Sequence, residues 1–132
     1  MADSKRIVFA DQKPIDRGNG VTTLPLVGGA DGAGFAAGIT TFPIGAAIPL
    51  HSHNVEEMVT VLEGSGECEI EGEVRPVTAL DSTFVPPNKV HCFRNTGGAQ
   101  MRILWVYGGT RVTRTFAATG QTVEHLSPYD KA

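Results

Sequence analysis

The sequence has little of what several large classes of protein require. Its two cysteines, Cys68 and Cys92, are too few for a disulfide framework and lie in no zinc-type spacing, so we expect two buried thiols. No apolar run is long enough to cross a bilayer, and only Ile7 to Ala10 precede Asp11 near the start, which is too short for a signal peptide. These absences predict a cytoplasmic protein with no membrane partner.

The sequence also has no large excess of acidic or of basic residues. The chain of 132 residues has 14 acidic and 11 basic side chains and a formal net charge of -3 at pH 7, and the two signs are scattered along its length. A protein that binds phosphate backbones needs a concentrated basic surface. Nucleic acid is therefore not an expected partner.

Turn-forming residues, in contrast, are abundant. The 16 glycines and 8 prolines separate short runs rich in Val, Ile, Thr and Phe, and no long helical stripe interrupts this pattern. It predicts an all-β, antiparallel sandwich or barrel, in one domain over residues 1–132 with a core at about 34–108 and terminal strands on either side. The predicted strands are 5–10, 21–27, 34–42, 48–53, 57–63, 66–70, 73–77, 82–85, 91–95, 100–107 and 111–117.

Three of the four histidines form a candidate metal site. His51 and His53 are separated by one residue in a predicted strand, so both side chains point to the same face, about 6.6 Å apart along the strand. Two imidazoles at this spacing can converge on one ion. His91 opens a later strand after a proline turn, whereas His125 lies in a polar tail and is expected to lie outside the site.

Two neighbouring glutamates compete for a fourth ligand position. Asn54 favours a corner after His53, so the next strand begins near Glu57 and runs back beside the histidine strand. Strand alternation turns Glu56 away from that face. Glu57 is therefore the favoured ligand, and Glu56 is interpreted as a solvated acid or as an acid that contacts a ligand.

The strand at 100–107 has apolar side chains on both faces, so parity leaves two orientations open. Either Met101, Ile103, Trp105 and Tyr107 face inward, or Arg102, Leu104 and Val106 do. An apolar cavity of this kind suits a small organic ligand that chelates an ion through oxygen atoms. The other arginines of the C-terminal half are interpreted as solvated surface residues; they are Arg94, Arg111 and Arg114.

Together these residues resemble the two motifs of the cupin superfamily, over about Phe42 to Tyr107. The fixed positions of the first motif are all filled, by Gly45, His51, His53, Glu57 and Gly64. The second motif is matched at its proline, histidine and asparagine, by Pro86, His91 and Asn95.

The second motif departs from the family pattern at two glycine positions, which Leu80 and Asn88 occupy here. Asparagine adopts the left-handed backbone conformation with little strain, so the turn before His91 is expected to persist. Leucine adopts this conformation less readily, so the sequence does not decide the conformation of the turn before Asp81.

The resemblance implies a jelly-roll barrel, that is, a double-stranded β-helix, with one divalent transition metal per chain. Its ligands would be His51, His53, Glu57 and His91. Three imidazoles and one carboxylate leave two open positions on an octahedral ion, which favours iron or manganese, while nickel, zinc and copper stay compatible.

The favoured function is an oxidoreductase of dioxygenase type that acts on a small oxygen-chelating substrate. One alternative is a metal-dependent isomerase, decarboxylase or lyase on a small acid or sugar acid, for which the sequence names no general base. Another is a non-enzymatic protein that binds a metal or a small molecule. Small members of the family are commonly homodimers, and Lys5–Ala10 and Arg111–His125 are candidate edge strands for such pairing.

Overall fold

The computed structural model describes residues 2–132. Within them lie two short 3-10 turns, at Phe9–Asp11 and Gly29–Asp31. The strands are β1 (Ile15–Gly18), β2 (Val21–Val27), β3 (Ala36–Phe42), β4 (His51–His53), β5 (Glu57–Glu63), β6 (Ser65–Ile70), β7 (Glu73–Thr78), β8 (Ser82–Val85), β9 (His91–Arg94), β10 (Met101–Tyr107), β11 (Thr113–Phe116) and β12 (Thr122–Glu124). In this part of the chain no helix is long and apolar enough to pass through a membrane.

These strands form two antiparallel sheets of six strands each. One has the order β1-β2-β3-β10-β5-β8 and the other the order β12-β11-β4-β9-β6-β7. Apolar side chains from both sheets fill the space between them, with Phe42, Phe93 and Met101 almost completely buried. The prediction of an all-β, antiparallel jelly roll is therefore confirmed.

Strand β10 resolves the orientation that parity left open. Met101, Ile103, Trp105 and Tyr107 are buried, and the residues between them are half-exposed on the outer face. The wide indole of Trp105 fits because Gly38 lies opposite it on β3; a Cβ at that glycine would lie 2.2 Å from the Trp105 ring. The first set of side chains therefore faces the interior.

The N-terminal strand predicted at Lys5–Ala10 is wrong. Residues 2–8 have no regular secondary structure, and Phe9–Asp11 form a 3-10 turn. The outer strand of this sheet is instead β1, which pairs with β2 through a turn whose residues Gly18, Asn19 and Gly20 all have positive φ. A short apolar run becomes a strand only where a neighbour accepts its backbone hydrogen bonds, and that tight turn supplies the neighbour to β1.

Leu80 and Asn88, which occupy the two glycine positions of the family pattern, both adopt the left-handed backbone conformation. Asn88 has φ 67°, as expected, and Leu80 has φ 77°. Leu80 is 80% exposed, so no packing compensates for the strain of a leucine in this region. The turn before Asp81 thus keeps the shape that glycine would give it, at a cost in stability.

Candidate metal centre

The three sequence-predicted histidines and Glu57 come together inside the barrel. His51 and His53 extend from β4, Glu57 is the first residue of β5, and His91 opens β9. Strand β9 pairs with β4 so that His51 and His91 are cross-strand neighbours. All four side chains are buried, whereas Glu56 is exposed, as the alternation argument expects.

Backbone carbonyls orient all three imidazoles in the same way. The Nδ1–H group of His51 donates to the oxygen of Pro49 (2.6 Å), that of His53 to Thr113 (3.0 Å) and that of His91 to Lys89 (2.9 Å). Because a carbonyl oxygen only accepts, these contacts assign a hydrogen to Nδ1 of each ring. Nε2 of His51 and of His53 then keeps a free lone pair, whereas Nε2 of His91 faces a Glu57 oxygen. The ligand nitrogens of the three rings lie within 4.8 Å of one another, so these histidines can hold a metal ion.

Glu57 adds a carboxylate oxygen to this set. Its Oε1 lies 2.9 Å from Nε2 of His91 and 3.7 Å from Nε2 of His53. A lone pair of a neutral imidazole and a carboxylate oxygen repel each other at hydrogen-bond distance unless a proton or a cation lies between them. The donor set therefore fits a divalent transition metal, which would replace that repulsion by four attractive contacts.

Burial keeps the two histidines of β4 in the neutral form that binds metal. It lowers the pKa of His51 well below the usual range and lowers the pKa of His53 to about 4, and the positive charge of Arg114 lowers both further. For Glu57, burial alone would raise the pKa, but the contact with His91 Nε2 and the nearby positive charge, including that of Arg114, outweigh burial, so the pKa is lowered. Near neutral pH the site thus offers neutral imidazoles on β4 and an ionised carboxylate.

Tyr107 and His125 form a titratable pair beside the histidines that sequence reasoning missed. The Tyr107 hydroxyl lies 3.2 Å from Nε2 of His53 and 3.3 Å from Nε2 of His125. Burial and the charge of Glu57 hold the pKa of Tyr107 well above its usual range, and burial together with the charge of Arg114 lowers the pKa of His125 to about 2. The phenol therefore keeps its proton and His125 is neutral.

His125 was expected to lie outside the site, and the structure places it in the cavity wall instead. It follows β12, a strand that the sequence did not predict and that pairs with β11 next to the histidine strand. A polar tail offers no periodic signal for such a return. The pairing of β11 with β12 carries His125 over the open side of the histidine cluster.

A second buried polar cluster adjoins the first, and it corrects the interpretation of Arg114 as a solvated surface residue. Arg114 lies on β11 directly opposite His53 and is only 3% exposed. Arg17 from β1 and Asp130 are each 2% exposed beside it. Oδ1 of Asp130 lies 3.0 Å from Arg17 Nη2 and 3.1 Å from Arg114 Nη1.

The two cysteines are buried, as predicted. Cys92 follows His91 directly and pairs with Glu69 on β6, and burial raises the pKa of its thiol to about 11. A thiol in this state is a poor nucleophile. Cys92 is therefore not a candidate nucleophile.

The cavity enclosed by these groups has a volume of about 20 Å³, enough for little more than one water-sized group. A larger pocket of about 320 Å³ opens on the outside and shares Trp105 and His125 with the cavity as a common wall. The cavity is lined by Arg17, Thr40, Ile48, His51, Glu57, His91, Phe93, Ile103, Trp105, Tyr107, Arg114 and His125.

The family of the chain follows from comparison with known proteins. A family model described as "Cupin domain" matches residues 38–107. The chain belongs to the cupin family. This cupin is 34% identical over 110 residues to the polyketide synthase CurC of Streptomyces cyaneus, an alignment that covers 78% of the chain and 70% of the relative.

Other comparisons extend over different shares of the molecule. This cupin is 32% identical over 75 residues to auxin-binding protein 1 of Arabidopsis thaliana, and the alignment covers 50% of the chain and 38% of the relative. Among solved structures, the polyketide cyclase RemF from Streptomyces resistomycificus aligns with a TM-score of 0.73 and 23% identity, over 97% of this cupin and 89% of that chain. At that identity the likeness shows the fold alone.

Proposed function

We propose that this cupin is a metal-dependent enzyme whose substrate is a small organic molecule that chelates the ion through oxygen atoms. One divalent transition metal per chain would be held by His51, His53, Glu57 and His91. The observation that carries the proposal is that the ligand atoms of three buried histidines lie within 4.8 Å of one another, with a Glu57 oxygen 2.9 Å from Nε2 of His91. When bound, the ion supplies Lewis-acid chemistry and, if it is iron or manganese, redox chemistry.

For the reaction class we place a non-redox reaction on a β-dicarbonyl substrate first. The proton donor that such a reaction needs is present, because Tyr107 keeps its proton next to His53 and His125. Tyr107 would donate to a substrate oxygen while the Nε2–H group of His125 holds the phenol in position, and the solvent would take up the proton that leaves the central carbon. The match to a polyketide synthase component agrees with this class, since polyketides carry 1,3-dicarbonyl groups that chelate through two oxygens.

The dioxygenase-type reaction favoured by sequence reasoning is the second candidate. It is supported by the donor set, since three imidazoles and one carboxylate leave adjacent positions open on an octahedral ion. The residues of the chain would then serve mainly to exclude water, through the apolar walls at Ile48, Phe93 and Ile103.

One experiment separates these classes. The purified protein, loaded in turn with iron, manganese and zinc, is incubated with acetoacetate in deuterated buffer, and exchange at its central carbon is followed by NMR with and without oxygen, beside an oxygen electrode. We expect faster exchange with each metal, undiminished under strict anaerobiosis. His91→Ala and Tyr107→Phe are the matched variants, and both should lose most of the acceleration.

Other outcomes have definite meanings. Oxygen uptake that equals substrate loss would assign the dioxygenase reaction instead. Acetoacetate that binds and is recovered with no exchange above the rate in buffer would reject an enzyme acting on β-dicarbonyls and favour a binding protein.

We also propose that the chain forms a homodimer, now through a different surface. Lys5–Ala10 is not a strand, and within Arg111–His125 only the short β12 lies at a sheet edge. The outer face of the first sheet carries exposed apolar side chains, among them Met58, Leu62 and Phe84, the last 61% exposed. Exposed apolar side chains gathered on one sheet face favour self-association. Light scattering should give twice the chain mass, reduced to one chain in Phe84→Glu; a single-chain mass for the wild type would reject the dimer.

A further inference from the structure

The cluster of Arg17, Arg114 and Asp130 is not fully explained by contacts within the chain. Arg17 has several partners: its Nε donates to the Asp130 carbonyl (3.1 Å) and its Nη1 to Thr23 Oγ1 (3.0 Å). The second oxygen of Asp130, Oδ2, accepts from the Leu126 amide (2.8 Å). Arg114 differs, because its Nε has no acceptor among the described residues. Its Nη1, like Nη2 of Arg17, has only the ion contact with Asp130.

The charges of the cluster do not balance either. Two buried guanidinium groups share one carboxylate, and both contacts are made to the same oxygen of Asp130. Removing a guanidinium from water costs several kcal/mol unless its donors and its charge are matched. Among the described residues Glu57 is the one acid in the cavity lining, and in the proposed function its charge is engaged by the metal.

The free donors of Arg114 are next to the proposed metal ligands. Arg114 is the cross-strand neighbour of His53 on β11 and lines the cavity together with His51 and Glu57. A carboxylate accepts two parallel hydrogen bonds from an arginine fork, which a neutral carbonyl does not match in strength. The contact between Asp130 and Arg114 shows that a carboxylate fits beside this guanidinium group.

We propose that Arg114, backed by Arg17, is an anion-binding subsite of the cavity and that the substrate is a small organic acid whose carboxylate accepts from Arg114. The proposal rests on the proposed function, because it names the substrate class of the same site. The part of the acid beyond its carboxylate and its chelating oxygens occupies the outer pocket of about 320 Å³, and the shared wall of Trp105 and His125 must move for the polar end to enter.

The test uses two probes of nearly equal shape, acetoacetate and acetylacetone, which differ by a carboxylate in place of an acetyl group. Binding to the metal-free full-length chain is measured by calorimetry, and the Arg114 Nε–H resonance is followed in 15N-labelled protein. We expect acetoacetate to bind at least about tenfold more tightly than acetylacetone and to shift that resonance. Metal-free protein keeps this result separate from the metal proposal, which zinc stoichiometry tests independently.

Two substitutions complete the design. Arg114→Lys keeps the charge but removes the fork and should abolish the preference, while Arg102→Lys is the matched control on the outer face of β10, where Arg102 contacts Glu63 and Thr41, and should retain it. Thermal melting checks that both variants fold. If Arg114→Lys does not fold, the resonance shift and the probe preference in the wild type still decide.

Three results would overturn the proposal. Equal affinity for the two probes would show that the cavity does not select a carboxylate. Acetoacetate binding that leaves the Arg114 resonance unmoved would place the anion elsewhere. Inorganic phosphate binding more tightly than acetoacetate would replace the planar carboxylate by a tetrahedral anion as the ligand class.

Discussion

The two buried polar clusters of this cupin are built in opposite ways. The histidine cluster turns electron pairs inward, since each Nδ1–H group donates to a backbone carbonyl and Nε2 is left as an acceptor. The arginine cluster turns N–H donors inward, and the Nε of Arg114 has no acceptor among the described residues. One cluster offers electron pairs that suit a cation and the other offers N–H donors that suit an anion, and this difference is what the two proposals rest on.

The largest expected effect is on the histidine cluster. His51→Ala or His91→Ala should abolish stoichiometric metal binding while the barrel still folds, because the core consists mainly of apolar side chains from both sheets. Elemental analysis gives the metal per chain, and circular dichroism checks the fold. His125→Ala serves as the control and should retain the metal, and full occupancy in either ligand variant would refute the assignment.

The next effect concerns the arginine cluster. Asp130→Asn keeps an oxygen for the Leu126 amide but leaves two buried guanidinium groups without a counter-charge, which should lower the free energy of unfolding by about 3–5 kcal/mol. Urea unfolding measures the change. Glu73→Gln removes an acid from an exposed pair with Arg75 and should cost less than about 0.5 kcal/mol; equal costs would contradict the difference in burial.

As the pH falls, the histidine cluster should lower the stability of the fold before most carboxylates take up protons. The pKa of His53 is about 4 in the folded chain and near 6.5 when unfolded, so between these values the unfolded state binds more protons and stability falls as pH falls. The metal-free protein should lose up to about 3 kcal/mol for this group from pH 6.5 to pH 4 and little between pH 8 and pH 7. Urea unfolding at each pH tests this, and a flat profile would mean that His53 is not held neutral by burial.

The smallest effect on stability is expected from a substitution outside both clusters, and it serves as a reference for the other effects. Leu80→Gly removes the strain of a leucine at φ 77° and should raise the free energy of unfolding by about 1 kcal/mol, less the entropy that glycine adds to the unfolded chain. The matched change Asn88→Gly, at φ 67°, should gain less because asparagine tolerates this conformation. A loss of stability in Leu80→Gly would show that the exposed leucine makes a contact that offsets its strain.

The histidine cluster could be predicted because its geometry is local. Alternation places His51 and His53 on one face, and the corner at Asn54 brings Glu57 back beside them within a few residues. The strand boundaries at Val21–Val27, Glu57–Glu63 and Ser82–Val85 follow from the same short-range rules and agree with prediction. Such features need no knowledge of distant partners.

The arginine cluster could not be predicted because the residues that contact Arg114 lie in distant parts of the sequence. Arg114 shares its parity with Val112, a buried residue, so the inward direction was present in the sequence. A charged side chain on a core face looks like an error until its partners are known, and here Arg17 and Asp130 come from opposite ends of the described chain. His125 was missed for the same reason, since its place depends on the pairing of β12 with β11.

The wall shared by the cavity and the outer pocket has an optical consequence. Trp105 is the only tryptophan in the sequence, its indole N–H donates to Thr40 Oγ1 (3.0 Å), and its ring centroid lies 5.1 Å from those of Tyr107 and His125. The tryptophan fluorescence of this protein therefore comes from a single indole in that wall. Bound iron should quench the Trp105 emission, whereas bound zinc should not. A ligand that moves the wall should shift the emission wavelength. Trp105 would therefore report on both metal binding and ligand entry.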